Sequence, residues 1–241
     1  MLINKRFYKF LFTSVFLCFV FCLLSGCLST KDYTEETYTI KLDDAQRVST
    51  TIAIYNGDLS ISGNNQQPLL TSDFQYNLKY FFPEITYFVQ NGEGKLKIIQ
   101  KENQKAFFDK IENKWSLIFN QAVPIELDIA MGSGDNQLDL STINLTELKI
   151  AIGAGESFID LTGDYERDIH VYLAGGIGRT SINLPNDTGI RLLINGVLNR
   201  ISCDGFKRIG NFYYNSAFDF SERKIFITLI SGLGIIDINL I

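Results

Sequence analysis

The sequence predicts an all-β fold: a stacked β-repeat of the β-solenoid kind, preceded by a β-rich N-terminal segment. Three observations carry this. Apolar and polar residues alternate with period two over most of the chain, and helical periodicity is nearly absent. Short alternating strands recur on either side of a Gly-x-Gly step. The second glycines of three clear copies fall at 134, 155 and 178, spacings of 21 and 23 residues.

Residues 1–26 read as a leader rather than as part of the fold. Lys5, Arg6 and Lys9 give a positive start, and Phe10–Leu24 is an uncharged apolar run. Its 15 residues are short for a membrane-spanning helix, which needs roughly 20. The run ends in Leu24-Ser25-Gly26-Cys27, which resembles the bacterial lipobox. The resemblance implies cleavage before Cys27, a diacylglycerol thioether on its sulfur and acylation of the new amino terminus. Two or three acyl chains anchor stably where one is marginal. The alternative is an uncleaved membrane helix carrying an incidental cysteine.

Loss of the leader takes the net charge from −5 to −8, with 19 basic and 27 acidic residues left. Cys18 and Cys22 leave with it and Cys27 is blocked by lipid, so Cys203 has no intramolecular partner. In Ile201-Ser202-Cys203 it reads as a small apolar residue rather than a nucleophile.

Residues 27–37 form a polar, lipidated tether. Residues 38–114 form the β-rich N-terminal segment, with strands at 38–42, 51–55, 69–79, 84–90 and 95–100. Asn56-Gly57 predicts a tight hairpin turn into Leu59-Ser60-Ile61, and Asn91-Gly92-Glu93-Gly94 predicts another turn. The aromatics Phe74, Tyr76, Tyr80, Phe81, Phe82, Tyr87 and Phe88 read as core for this segment and its seam with the repeats. The polar stretch Lys101–Lys114 separates the two parts, with Phe107-Phe108 packing somewhere.

Residues 115–241 form the repeat stack, with Trp115 packing at its first rung. Ile125–Leu140, Leu148–Leu161 and Ile169–Leu184 share one grammar: an alternating strand, Gly-x-Gly, then a short strand ending Leu-Asp-Leu, Ile-Asp-Leu or Ile-Asn-Leu. A degenerate copy runs from Ile190 to Cys203, and Ile225–Leu240 is the last copy, expected to be the terminal rung. The step of 56 residues from Gly178 to Gly234 leaves room for the degenerate copy and an insertion near 206–222. Glycine tolerates positive φ and close backbone approach, so Gly-x-Gly marks a corner. One copy alone cannot bury its apolar face, whereas stacked copies can. An ordinary β-sandwich with similar hairpins is the rival architecture.

The lipobox, the β-rich segment and the motifs GSGD…LDLS, GAGE…IDLTG and GGIG…INLP together resemble bacterial toast-rack proteins over roughly residues 45–241. These include adhesin-like families and relatives of the C-terminal domain of LiaF-like cell-wall-active-antibiotic response proteins. The resemblance implies a non-enzymatic, extracytoplasmic β-stack, often in envelope-stress signalling. LiaF-like proteins carry the domain behind several transmembrane helices; this chain has the expected lipid anchor in their place.

Composition narrows the chemistry. A pI near 5.0 argues against nucleic acid as a partner. The single histidine, His170, points away from Ile169 and Val171, and with no second histidine or reactive serine motif it is not read as a general base. The Gly-x-Gly steps lack the helix that phosphate cradles need. Asp135, Glu156 and Arg179 follow Gly-x-Gly in successive copies and predict one column; Asp139, Asp160, Asn183, Ser202 and Asn239 predict a second. The calcium-repeat signature Gly-Gly-x-Gly-x-Asp is absent, so both columns read as solvated polar ladders. No catalytic, cofactor or metal residue is assigned; Cys27 is the one site residue, as the lipid attachment point.

Three functions compete. The leading reading is a non-catalytic scaffold on the extracytoplasmic side of the bacterial cell envelope, anchored to a membrane and binding an envelope protein. The second is an adhesin-like or glycan-binding surface lipoprotein. The third, a glycosidase, needs two facing carboxylates in a cleft.

Overall fold

The clear repeats fold as rungs of two arms that meet at a glycine corner. The structure is a computed structural model describing residues 33–65, 68–77, 81–101, 112–196, 200–230 and 232–241. The leader, Cys27, Tyr80 and Phe107-Phe108 lie outside these residues.

The described residues form 18 strands joined in one sheet. In chain order the first seven are β1 (Thr34–Ile40), β2 (Arg47–Asn56), β3 (Asp58–Asn64), β4 (Leu70–Tyr76), β5 (Pro83–Gln90), β6 (Glu93–Gln100) and β7 (Asn113–Asn120). Then come β8 (Ile125–Ser133), β9 (Asn136–Asp139), the long β10 (Leu145–Asp160), β11 (Ile169–Ala174) and β12 (Ile177–Leu184). The last six are β13 (Gly189–Asn195), β14 (Arg200–Cys203), β15 (Lys207–Ile209), β16 (Phe212–Tyr214), β17 (Lys224–Ile230) and β18 (Leu233–Leu240).

The rungs stack in parallel and make two walls. First arms pair in the order β6, β2, β8, β10, β11, β17, β13. Second arms pair in the order β7, β3, β9, β10, β12, β18, β14. Antiparallel strands extend both walls: β5 lies beside β6, β4 and then β1 beside β7, and β16 and then β15 beside β13.

Alternation turns every second side chain inward, so Ile52, Leu127, Ile150, Val171, Ile227 and Leu192 from the first wall join Ile61, Leu138, Ile159, Ile182 and Ile238 from the second in one core. Leu140, Ile143, Leu161 and Tyr165 in the connectors bury into the same core. Each buried large aliphatic side chain contributes roughly 1.5–3 kcal/mol to this core, and among the described residues the one cysteine, Cys203, is free.

The N-terminal and C-terminal segments distinguished from the sequence are joined through the ladders β2–β8 and β3–β9. The expected hairpin at Asn56-Gly57 is instead a rung corner: β2 and β3 pair with different neighbours and not with each other. Of the two residues only Gly57 has positive φ, whereas a type I′ turn requires it at both central positions. Asn91 and Gly92 do both have positive φ, and they join the antiparallel pair β5–β6 as expected.

The tether is shorter than expected, since Thr34–Thr37 already pair with β4. The last copy is not the terminal rung. β17 lies between β11 and β13, and β18 between β12 and β14, so the chain skips one position, lays down the degenerate copy and then returns. The insertion between β14 and β17, with its hairpin β15–β16, allows the return. A copy lacking the full Gly-x-Gly suits an end position, because one side of its corner has no neighbouring rung to accommodate.

Of the aromatics expected in the core of the N-terminal segment, Phe74, Tyr76 and Phe81 are buried and Phe82 and Tyr87 pack half-buried against them, while Tyr80 lies outside the described residues. Trp115 is 1% exposed, meets Phe74 edge-on at 5.5 Å and donates its indole N–H to Asn113 Oδ1 at 2.9 Å. Phe88, on the outermost strand, is 50% exposed.

Candidate functional site

The outer face of the second wall is concave. Its groove has a volume of about 1020 Å³ and is lined from seven strands: β1, β4, β7, β3, β9, β10 and β12. The outward residues of these strands fall in register. Thr37 faces Asp73, Asp73 faces Ser116, Ser116 faces Ser60, Ser60 faces Gln137, Gln137 faces Phe158 and Phe158 faces Ser181. Six steps of ~4.8 Å make this a track of about 29 Å. A second row toward the corner runs Glu35, Gln75, Lys114 and Asp58, then Glu156 and Arg179.

The floor is rigid. Apart from β1, every strand in it is hydrogen-bonded on both sides. The side chains that project from it are mostly hydroxyls, amides and carboxylates, with Lys114 and Arg179 in the row toward the corner and Phe158 half-buried on the track. Asp58, Asp73, Asp135, Glu35, Glu36 and Glu156 outnumber Lys114 and Arg179, so the groove is acidic.

The predicted corner column lies in this groove. Asp135 N–H donates to Asp58 Oδ1 at 3.0 Å, and Glu156 N–H donates to Asp135 Oδ1 at 3.1 Å. Each carboxylate therefore binds the backbone of the next rung, which makes the column a polar ladder. Arg179 pairs with Asp237 at 2.8 Å, one row further on. Ser157, placed beside this column, is buried and accepts from Asn136 Nδ2 at 3.2 Å. The glycine corner turns this side chain inward.

The second column holds for Asp139, Asp160, Asn183 and Asn239, which stand in register. Ser202 does not belong to it; it faces Asp237, two residues away from Asn239. The degenerate copy carries no second corner glycine from which to count the register. Asp139 Oδ1 accepts from the hydroxyl and N–H of Ser141, and Asp160 Oδ1 from those of Thr162, so these aspartates close the second arms as local turns. Asn239 Nδ2 donates to Asn183 Oδ1 at 3.2 Å. Among the described residues no cluster of three or more His, Cys, Asp or Glu is placed to hold a metal ion.

His170 is exposed on the first wall and stacks on Phe226 at 5.1 Å. Cys203 is half-buried; burial, then the Asp204 carboxylate, pushes its thiol up, away from the reactive thiolate. Phe158, Gln137, Asp73 and the serines of the track escape a reading based on corners, because what marks them is their outward position in a pairing order the sequence does not give.

The family model for the N-terminal domain of toast-rack proteins matches residues 29–183, more than half of the chain. The crystal structure of a candidate cell adhesion protein from Clostridium sporogenes is 29% identical, with a TM-score of 0.81 over 86% of this chain and 98% of that one. A candidate adhesin from Bacteroides fragilis is 13% identical, with a TM-score of 0.27 over 87% of this chain and 98% of its own. A candidate lipid-binding protein from Parabacteroides distasonis is 12% identical, with a TM-score of 0.32 over the same shares. No curated protein matches the chain significantly. By its family match and its stacked all-β architecture, this chain belongs to the toast-rack family.

Proposed function

We propose that this chain is a non-catalytic, adhesin-like envelope protein, a β-repeat scaffold that holds its partner in the groove of the second wall. The groove carries the reading: a rigid, concave face across seven strands, with hydroxyl, amide and carboxylate side chains set around Phe158. Similarity to the candidate cell adhesion protein supports it, at 29% identity over nearly the whole of that chain. Engagement of the corner carboxylates by neighbouring backbone N–H groups favours a structural ladder over acid–base work.

The same proposal places the chain on the extracytoplasmic side of a bacterial membrane, held by lipid on Cys27. A role in envelope stress rests on the resemblance to LiaF-like proteins alone.

The test is retention of the full chain, in mild detergent, on washed envelope fragments. Gln137→Trp fills the groove, while Phe88→Ser alters an exposed residue outside it. Retention lost with the first and kept with the second is the expected result. Equal retention of both overturns the reading.

A further inference from the structure

We propose that the groove of the second wall binds an extended, uncharged glycan chain along the track Asp73, Ser116, Ser60, Gln137, Phe158 and Ser181. This rests on the reading of the groove as the contact surface and names the class of its ligand. The floor excludes one common occupant at once. A peptide that adds itself as a strand needs unpaired backbone groups, and the strands that carry these six residues are paired on both sides. Helix docking needs a continuous apolar stripe, and Phe158 is the one apolar side chain on this track.

The track has what a sugar chain requires. Carboxylate, hydroxyl and amide groups accept from or donate to ring hydroxyls, and the short Asp73 and serine side chains lose little freedom on binding. Phe158 offers an aromatic surface to the C–H face of a pyranose. One pyranose of an extended β-linked chain is comparable in length with the rung spacing of ~4.8 Å, so successive sugars meet successive strands. Charge selects among glycans: Asp58, Asp73, Asp135 and Glu156 repel uronic acids and phosphate-bearing polymers.

Calorimetric titration of the full chain tests this. The probes are β-1,4-linked hexasaccharides of glucose and of N-acetylglucosamine, with the β-1,4-linked hexasaccharide of glucuronic acid as the acidic counterpart. A neutral probe is expected to give saturable heat and the acidic one at least tenfold weaker binding. Phe158→Ala is expected to weaken the neutral probe about tenfold, the size of one lost aromatic contact. Gln137→Arg, at an exposed position, supplies the same test should the first variant fail to fold. Phe88→Ala serves as the control outside the groove. No binding of either neutral probe, equal binding of the acidic one, or indifference to both groove variants overturns the proposal. Groove-dependent retention on envelopes that is lost on protease treatment, with no oligosaccharide bound, assigns the groove to a protein partner. In that outcome the adhesin-like reading survives and the glycan assignment does not.

Discussion

A Cβ on Gly155 would lie 2.0 Å from the carbonyl oxygen of Gly134 in the rung beside it. The same contact recurs one rung on, where a Cβ on Gly178 would lie 2.0 Å from the Gly155 oxygen. At φ +127° Gly155 also holds a backbone conformation that side chains disfavour. The corner thus depends on glycine twice, for its φ and for the close approach of neighbouring rungs.

Gly155→Val should therefore cost roughly 2–6 kcal/mol, combining backbone strain with overpacking. Ser157→Val should cost about 1–3 kcal/mol, since it removes the oxygen that accepts from buried Asn136. Glu156→Val, on the exposed face, should stay within about 0.5 kcal/mol of the parent. Denaturant midpoints should rank in that order. A Gly155 variant as stable as the Glu156 variant would show that the rungs do not meet at this corner.

Alkaline pH should unfold the chain partly through Tyr76. Burial, then the Glu36 carboxylate that accepts its hydroxyl, pushes this phenol from 10.0 up to about 12. An unfolded chain ionises the phenol near 10, while the folded chain keeps it neutral. The contribution is fully present below pH 10 and is lost as pH rises through 12. Tyr165 acts in the same direction, raised by burial and then by Asp160 and Asp139. Melting temperatures should hold steady up to about the unperturbed phenol pKa and fall above it. Tyr76→Phe should make that fall shallower; an unchanged slope would remove Tyr76 as a cause.

The glycine corners and the inward alternation were legible in the sequence because each rung repeats them locally. A copy in the N-terminal segment was not. Ile52, Ala53 and Ile54 stand opposite Ile129, Ala130 and Met131, but Tyr55 replaces the first glycine of Gly-x-Gly. Gly57 then reads as a hairpin. Tyr55 fits there because this rung lies on the outer side of the glycine column: a Cβ on Gly132 would meet the Tyr55 carbonyl oxygen at 2.0 Å, while Tyr55 itself is exposed. The groove was illegible for a different reason. Its track joins residues as distant in the chain as Thr37 and Ser181, through pairings fixed by the whole stack.

Cys27→Ser should leave the chain uncleaved and without lipid. The motif Leu24-Ser25-Gly26-Cys27 follows a charged start and an apolar run, the order that lipoprotein processing requires. Intact mass of the membrane-bound protein measures both events. An unmodified Cys27 in the parent, or cleavage elsewhere, would remove the anchor from the proposed function.

Two deletions separate the observed rung order from the order of the sequence. Removing 224–241 takes away β17–β18, the parallel partner of both β11–β12 and β13–β14. It uncovers one rung, strands another and should abolish cooperative folding. Removing 189–220 takes away the end rung and its hairpin but leaves β17–β18 against β11–β12. The remaining residues, 185–188 and 221–223, make a connector close in length to 161–168, which already joins two adjacent rungs. This second variant should fold as a shorter stack, with some loss of stability where β17 and β18 become edges. Were the last copy terminal, the ranking would reverse, since 189–203 would then be an interior rung and 224–241 a dispensable end. Size-exclusion profiles and thermal melts of the two variants decide it. A monomeric, cooperatively melting 224–241 deletion beside an unfolded 189–220 deletion would overturn the interleaved order.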